Sequence, residues 1–207
     1  MSGPREAALD AFLGLVGERG YASVSLRDVA IAAGLGFGEL YGLFPDKLAL
    51  VKAFLGRIDR EVLAGTPAEL DPEESARDRL FDVMMRRYDA LKPHRAVIGS
   101  IRQAAARDPV LAVALAPIVR RSMALMLEAA GLPTDGLAGA LRQNGLLAIN
   151  QAVSRVFDRD ESADLAKTMA ALDGRLKTAE RWAEVLERYG RTSRPRKPEA
   201  EMNPPEA

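Results

Sequence analysis

Residues 20–47 decide the fold of this 207-residue chain, and they read GYASVSLRDVAIAAGLGFGELYGLFPDK. Ser25 stands directly before an amphipathic run whose apolar positions recur at helical spacing, which makes it a credible N-cap. Gly34 follows this run at the point where a helix commonly ends in a left-handed residue. After a short turn, a second helix is predicted over residues 37–44. Two short helices joined by a tight turn that contains glycine form the helix-turn-helix unit that proteins use to contact DNA.

The predicted second helix is expected to pack against the first through Leu40, Tyr41 and Phe44. The dipeptide Pro45-Asp46 ends this helix, and Lys47 opens a further one. The three predicted helices therefore follow one another without a long connection.

This stretch resembles the N-terminal domain of the TetR family of bacterial regulators. The matching residues are Gly20-Tyr21, Ser25-Leu26-Arg27-Asp28-Val29-Ala30, Ala33-Gly34, Gly38, Leu40-Tyr41, Phe44-Pro45 and Lys47. The resemblance implies an all-α, nine-helix TetR-like fold, with a three-helix helix-turn-helix domain over residues 1–50. A helical bundle for ligand binding and dimerisation follows over residues 51–190. Residues 191–207 are rich in Pro, Lys and Glu and are expected to form a disordered tail.

The resemblance also implies which residues meet operator DNA. Phosphate contacts are expected from Ser25, Arg27, Tyr41 and Lys47. Phe37, Gly38 and Glu39 are expected at the positions that face the bases, where Glu39 is able to accept a hydrogen bond from a cytosine amino group.

The predicted recognition helix departs from the family pattern in its side chains. Gly36 stands where the family usually has Ser, and Gly42 and Leu43 offer no side-chain hydrogen bond to DNA. Residues 1–60 contain seven Lys or Arg and seven Asp or Glu, whereas DNA-binding domains usually show an excess of basic residues. If the protein binds DNA, we expect a modest affinity that depends weakly on salt.

Composition excludes several other classes of site. The net charge is zero, cysteine is absent and histidine occurs once, which excludes disulfides, thiolate metal sites and multi-histidine metal sites. No cofactor is expected. The glycine run at residues 34–38 follows a predicted helix rather than a strand, so it is not a phosphate-binding loop, and no catalytic motif supports an enzyme. The N-terminus lacks an apolar signal segment, and the ten-residue apolar run Val110–Val119 is too short to cross a bilayer. We therefore expect a cytoplasmic protein without a transmembrane segment.

The rest of the chain predicts further helices. Their expected starts are Asp71-Pro72, Pro93, Asp108-Pro109, Asp135 and Ser162, and Pro117 is expected to kink the helix that starts at Asp108-Pro109. In the last helix, Leu165, Met169, Leu172 and Leu176 alternate spacings of four and three, as the members of a coiled-coil seam do. The small residues Ala148 and Ala152 form a strip on the preceding helix. These six residues are predicted to form a homodimer interface; the alternative is that they pack the core of one subunit.

Soft apolar side chains on the central helices suggest a site for a small apolar or lipid-like ligand. The candidates are Met84, Met85, Tyr88, Met123 and Met126, with Asn150 to orient a polar group. The alternative is that this set is ordinary core. Arg102 and Arg107 are expected in solvent rather than in a pocket.

Three functions remain open. The first is a dimeric TetR-like transcriptional repressor that binds a palindromic operator and is released by a small apolar ligand. The second is a TetR-fold lipid-binding protein with a degenerate helix-turn-helix, because residues 157–176, FDRDESADLAKTMAALDGRL, are loosely similar to such a family that assists ubiquinone biosynthesis. The third is a helical scaffold, which predicts a fully packed bundle without a cavity.

Overall fold

The computed structural model describes the backbone of residues 3–192, with side chains described up to residue 181. Within that range the chain forms helices and no strand, which confirms the all-α, nine-helix expectation. The helices are α1 (Pro4–Arg19), α2 (Leu26–Ala33), α3 (Phe37–Leu43), α4 (Lys47–Ala64), α5 (Ala76–Leu91), α6 (Arg95–Arg107), α7 (Pro109–Ala129), α8 (Gly136–Phe157) and α9 (Ala166–Thr192).

The ends of α2 and the start of α4 follow from local sequence. The Ser25 hydroxyl accepts from the Asp28 N–H at 3.2 Å, while the Ser25 N–H donates to the Asp28 carboxylate at 2.8 Å, which completes a capping box. Gly34 ends α2 in the left-handed region, with φ of 67°. Asp46 caps α4 by accepting from the Ala49 N–H at 2.7 Å. The predicted helix-turn-helix is confirmed.

The predicted start of α5 at Asp71 was wrong. The Asp71 carboxylate accepts from the N–H of Glu73 at 2.9 Å, two residues along, and this bond closes a local turn instead of capping a helix. The helix begins at Ala76, where Ser75 is the N-cap and accepts from the Asp78 N–H at 3.1 Å.

Helices α1 to α3 form an N-terminal head around one apolar cluster. Phe12, Val29, Leu40 and Phe44 are fully buried in it. Helix α4 then continues from the head into the bundle, because its 18 residues run past the predicted boundary at residue 50. The head and the bundle are therefore joined by a continuous helix.

Helix α6 makes a second connection between bundle and head. The Tyr21 N–H donates to the Ser100 hydroxyl at 2.7 Å. Gly20, just before it, has φ of 83°, and a Cβ there would lie 3.3 Å from the same hydroxyl oxygen. Glycine is thus required for both the backbone conformation and the close approach of α6.

Helix α7 begins at Pro109, as the sequence predicted, and is the most apolar of the long helices by the membrane criterion. It continues through Pro117 for 21 residues, and an 18-residue window reaches a mean hydropathy of 1.8. Among the described residues it is the one helix that could cross a membrane by length and composition alone. It contacts α4, α5, α6 and α8. The apolar run Val110–Val119 is only part of this helix, so the run by itself understated the length of the apolar helix.

The connection between α8 and α9 is organised by a buried carboxylate, that of Asp160. Asp160 accepts from the N–H and hydroxyl of Thr168, both at 2.7 Å, and from the N–H of Ser162 at 3.2 Å. Although burial opposes ionisation, the hydrogen bonds from Ser162 and Thr168 hold the pKa of Asp160 well below its usual range.

The predicted disordered tail starts inside α9, since residues 191 and 192 form the last positions of that helix. The remainder of the tail lies outside the described residues.

Candidate nucleic-acid interface and ligand cavity

The outer surface of α2 and α3 exposes large apolar side chains. Ile31 is 74% exposed, Tyr41 59% and Phe37 48%, whereas Leu40 on the opposite side of α3 is fully buried. The prediction that Tyr41 packs against α2 was therefore wrong, because Tyr41 lies one position beyond Leu40 and points away from the core. Phe37 and Tyr41, four residues apart, share one face of α3 and are accessible to a partner.

Lys47, the first residue of α4, is half-buried against the head. Its ammonium donates to the carbonyl oxygens of Tyr21 and Val24, both at 2.9 Å, and lies 4.3 Å from the centre of the Tyr21 ring. Burial lowers the pKa of Lys47. Two of the three ammonium hydrogens of Lys47 are engaged in these bonds. A contact between Lys47 and a phosphate therefore depends on the third hydrogen and stays a prediction.

Two further basic side chains, on α1 and α4, also have partners within the protein. Arg5 donates to the carbonyl of Leu43 at 3.1 Å and lies over the Phe44 ring. Arg57 forms ion pairs with Glu6 at 2.6 Å and Asp10 at 2.7 Å. Acids of the same region are engaged as well, since Glu6 and Asp10 bind Arg57 and Asp46 caps α4.

Two of the expected DNA contacts also have local partners. The Ser25 hydroxyl belongs to the capping box of α2. The Arg27 guanidinium lies 5.7 Å from the centre of the Phe37 ring, which brings a cation of α2 beside the first residue of α3. Gly38 and Glu39 are exposed on α3. Arg27 is thus the basic residue placed best for a phosphate beside this helix.

The six residues predicted to bind a ligand are all buried core. They are Met84, Met85, Tyr88, Met123, Met126 and Asn150. The Tyr88 hydroxyl donates to the Asn150 side-chain oxygen at 3.2 Å, and burial raises the pKa of Tyr88 to about 12. None of the six lines either cavity described below. The structure places these residues in the packed core, which helical spacing of methionines allows equally well, and their role in ligand binding stays a prediction.

The core contains a buried ion pair that the sequence analysis missed. Arg87 on α5 donates to the Asp59 carboxylate on α4 at 2.6 Å, and the Ser122 hydroxyl on α7 donates to the same oxygen. Burial lowers the pKa of Arg87, and its Nε has no hydrogen-bond partner among the described residues. Asp59 falls between apolar positions of α4 at helical spacing, and this pattern is the signal that could have placed it in the core.

A cavity of about 700 Å³ lies between α4, α6, α7 and α8. Its apolar lining is formed by Val51, Leu55, Ile98, Ile101, Leu115, Val119 and Leu147, with several alanines. Its polar lining is formed by Arg102, Gln103, Gln151, Arg155 and Asp158. The volume lies in the range typical of small-molecule sites. The cavity argues against the scaffold hypothesis, which required a fully packed bundle.

Arg102 lines this cavity, so its expected position in solvent was wrong. Its side chain is 26% exposed, and burial lowers its pKa. Arg102 forms an ion pair with Asp158, the residue that follows α8. It neighbours the buried Ile101 on α6, and this position draws its stem across the apolar lining.

A second cavity of about 420 Å³ lies beside the connection from α4 to α5. Its lining includes Thr66, Leu70, Asp71, Arg79 and Arg86. It is smaller and does not reach α6 or α8.

Residues 8–54, from α1 into α4, match the model of the bacterial regulatory proteins of the tetR family. The chain carries the N-terminal domain of the TetR family. A TetR transcriptional regulator from Nitrosomonas europaea ATCC 19718 superposes with a TM-score of 0.69 at 22% identity, over 86% of this chain and 99% of that one. A TetR transcriptional regulator from Rhodococcus sp. RHA1 superposes with a TM-score of 0.59 at 25% identity, over 84% and 96%.

A putative TetR-family regulator from Rhodococcus sp. gives a TM-score of 0.60 at 22% identity, over 86% of this chain and 98% of that one. These likenesses extend the TetR fold over the bundle as well as the head. No protein of curated function matches the chain by sequence. None of the comparisons favours the lipid-binding alternative.

The predicted dimer interface needs correction on α9. Leu165, Leu172 and Leu176 are buried within the subunit, so they are not available to a partner. Leu165 precedes α9 with φ of 56°, outside the helix, and this turns its side chain into the core. The heptad spacing was real, but it marks the contact of α9 with its own bundle.

The outward-facing candidates are few on α9 and more numerous on α8. Met169 is 42% exposed, Ala148 is exposed and Ala152 is half-buried. The sequence analysis missed Leu137 and Leu141, which are 80% and 61% exposed on the first turns of α8. Their spacing to Ala148 and Ala152 is helical and marks the outer face of α8.

Proposed function

We propose that the protein is a dimeric transcriptional repressor that binds operator DNA through α3 and releases it when a small apolar ligand fills the cavity of about 700 Å³. The observation that supports this most is α4. It begins four residues after α3 ends and contributes Val51 and Leu55 to the cavity wall. A ligand in the cavity therefore pushes on the helix that carries the head.

The contacts with DNA follow from the exposed side chains of the head. Phe37 offers an apolar contact to a thymine methyl group, and Glu39 accepts from a cytosine amino group. Tyr41, Arg27 and the remaining hydrogen of Lys47 serve phosphates. Because few cations are free on this surface, we expect the affinity to fall only weakly as salt rises.

The proposed dimer forms through the outer face of α8, with Met169 of α9 beside it. Leu137 and Leu141 would leave a large apolar surface in water in an isolated subunit, and burying them stabilises the pair of subunits. Two heads related by a twofold axis would meet half-sites about one helical turn apart on a palindromic operator. A tilt of α4 in each subunit changes the separation of the heads and so releases the DNA. This function places the protein in the cytoplasm.

Selection of a random-sequence duplex library by the purified protein tests DNA binding. We expect a palindromic motif that survives physiological salt, and we expect Arg27→Gln to weaken its capture. The matched control is Arg121→Gln, an exposed arginine of α7 in the bundle. Recovery of sequences without any common motif would contradict the repressor.

Sedimentation equilibrium tests the dimer. Leu141→Glu places a charge at the centre of the proposed interface and should shift the protein toward monomer. Val113→Glu, at an equally exposed apolar position of α7, is the control and should leave the dimer intact. A monomeric wild-type protein, or equal effects of the two substitutions, would exclude the α8 interface.

A further inference from the structure

The lining of the large cavity is divided by polarity. Its apolar side chains come from α4, α6, α7 and α8, whereas its charged groups come from α6, α8 and the residue after α8. These charged groups are Arg102, Arg155 and Asp158, which leaves an excess of one positive charge in the lining. Gln103 and Gln151 add amides that donate and accept hydrogen bonds.

The two arginines differ in their environment. Arg102 is mostly buried and is paired with Asp158. Arg155 is exposed and forms no ion pair with any residue whose side chain the structure describes. A guanidinium presents a planar fork of N–H groups that matches a carboxylate or sulfonate, and such charge-assisted bonds are stronger than neutral ones.

We propose that this cavity selects an amphipathic organic acid, with its apolar body against the aliphatic lining and its anionic group between Arg102 and Arg155. This inference rests on the proposed function for its regulatory meaning, because it names the class of ligand for the same cavity. An apolar neutral molecule fills the lining equally well but leaves the excess positive charge without a partner.

Because Arg102 lies on α6, the anionic group would contact a helix that is hydrogen-bonded to the head. Arg102 lies two residues after Ser100 on α6, and the Ser100 hydroxyl accepts from the Tyr21 N–H at the edge of the head. The apolar body contacts α4 through Val51 and Leu55, while the anion contacts α6 through Arg102. The two parts of one ligand therefore act on the two helices that connect the bundle with the head.

Two dyes with the same aromatic body test the inference by fluorescence titration of the full chain. They are 1-anilinonaphthalene-8-sulfonate and N-phenyl-1-naphthylamine, which lacks the sulfonate. We expect Arg155→Gln and Arg102→Gln each to weaken binding of the anionic dye about 10-fold, as the loss of one charge-assisted hydrogen bond implies, and to leave the neutral dye within about twofold. The control Arg121→Gln should change neither.

Two further variants keep the test decisive. Arg102→Gln leaves the Asp158 carboxylate without its ion pair and the lining without net charge. The double variant R102Q/D158N restores the excess positive charge without the Arg102 guanidinium, so it should bind the anionic dye more tightly than R102Q and more weakly than the wild type. Ala116→Trp fills the cavity from an exposed position of its wall and should abolish binding of both dyes. Undiminished binding in A116W would place the dyes elsewhere and overturn the inference.

The inference would also be overturned if R155Q and R102Q weakened the binding of both dyes to the same extent, or if they weakened the binding of neither dye. Because the titration contains no DNA, its result is independent of the library selection. Dye selectivity without a DNA motif would refute the repressor and leave the anion site standing, whereas a motif without dye selectivity would do the reverse.

Discussion

The recognition surface of the head and the cavity of the bundle use charge in opposite ways. In the head, Phe37 and Tyr41 are exposed. Lys47 and Arg57, on the adjoining α4, are held by contacts within the protein. In the bundle, the interior contains the Asp59–Arg87 pair, and Arg102 borders an apolar cavity. Charge is scarce where a DNA-binding surface normally has it and present where a protein core normally lacks it.

This difference shows that the composition of a region does not reveal which groups are available. An equal number of acids and bases in residues 1–60 is compatible with a basic surface, provided that the acids are the groups engaged internally. Here both acids and bases are engaged, and α3 itself contains no basic residue, so its accessible surface is largely apolar. In the bundle, burial makes a few charged groups far more consequential than their number indicates.

The largest effect is expected from breaking the buried pair that joins α4 to α5. Asp59→Asn leaves the Arg87 guanidinium buried without a counter-charge and should lower the free energy of unfolding by about 3–5 kcal/mol. Urea denaturation measures this change. The double variant D59L/R87M removes both charges and should recover most of the loss; a double variant less stable than D59N would show that the charges themselves are required.

A smaller effect is expected at the α8–α9 connection. Asp160→Asn replaces one acceptor oxygen by an NH2 donor, so the donors of either Thr168 or Ser162 lose their acceptor, and the free energy of unfolding should fall by about 1–3 kcal/mol. Because the pKa of Asp160 is depressed in the folded state, the ionised form contributes stability above the unfolded value of about 3.9. That stability is lost as the pH falls toward the folded pKa.

Urea titrations between pH 3 and pH 7, a range set by that unfolded pKa of about 3.9, measure this dependence. D160N should flatten the acid side of the stability profile, and Asp164→Asn, at an exposed site of the same connection, serves as control. An identical acid limb in the wild type and D160N would show that another carboxylate is responsible.

In the head, Gly42 of α3 gives a test of opposite sign. Gly42 is helical and exposed, and a Cβ there meets no atom within 4 Å. Gly42→Ala should therefore raise the free energy of unfolding by up to about 1 kcal/mol. Gly34→Ala is the matched control, because φ of 67° at Gly34 makes the same change destabilising. A destabilised G42A would mean that α3 requires the flexibility of glycine.

The smallest effect concerns the one acid on α3. Glu39→Gln removes a charge that repels phosphate and should raise the affinity for non-specific duplex a few fold, since exposed charge interactions contribute about 0.2–1 kcal/mol. Fluorescence anisotropy at low salt measures the change, with Glu18→Gln on α1 as control. A drop in affinity for one selected motif alone would instead identify Glu39 as a contact to a base.

Residues 20–47 by themselves determined the head of this protein. Ser25, Gly34 and Asp46 act through bonds to residues within four positions, and local bonds of that kind are readable from a short stretch. The same locality explains the correct starts of α7 at Pro109 and of α4 at Lys47. It also explains the error at Asp71, where an equally local Asx turn competed with the helix cap.

Only the tertiary structure decided which side of each later helix faces the core. Leu172 on α9 and Leu141 on α8 both fit an apolar stripe. Leu172 is buried within the subunit, whereas Leu141 is exposed. Met84 fits a pocket or a core equally well, and Arg102 looked solvated although the packing of α6 brings it to the cavity. Helical periodicity specifies that a face is buried but not what buries it, because that depends on contacts between helices far apart in the chain.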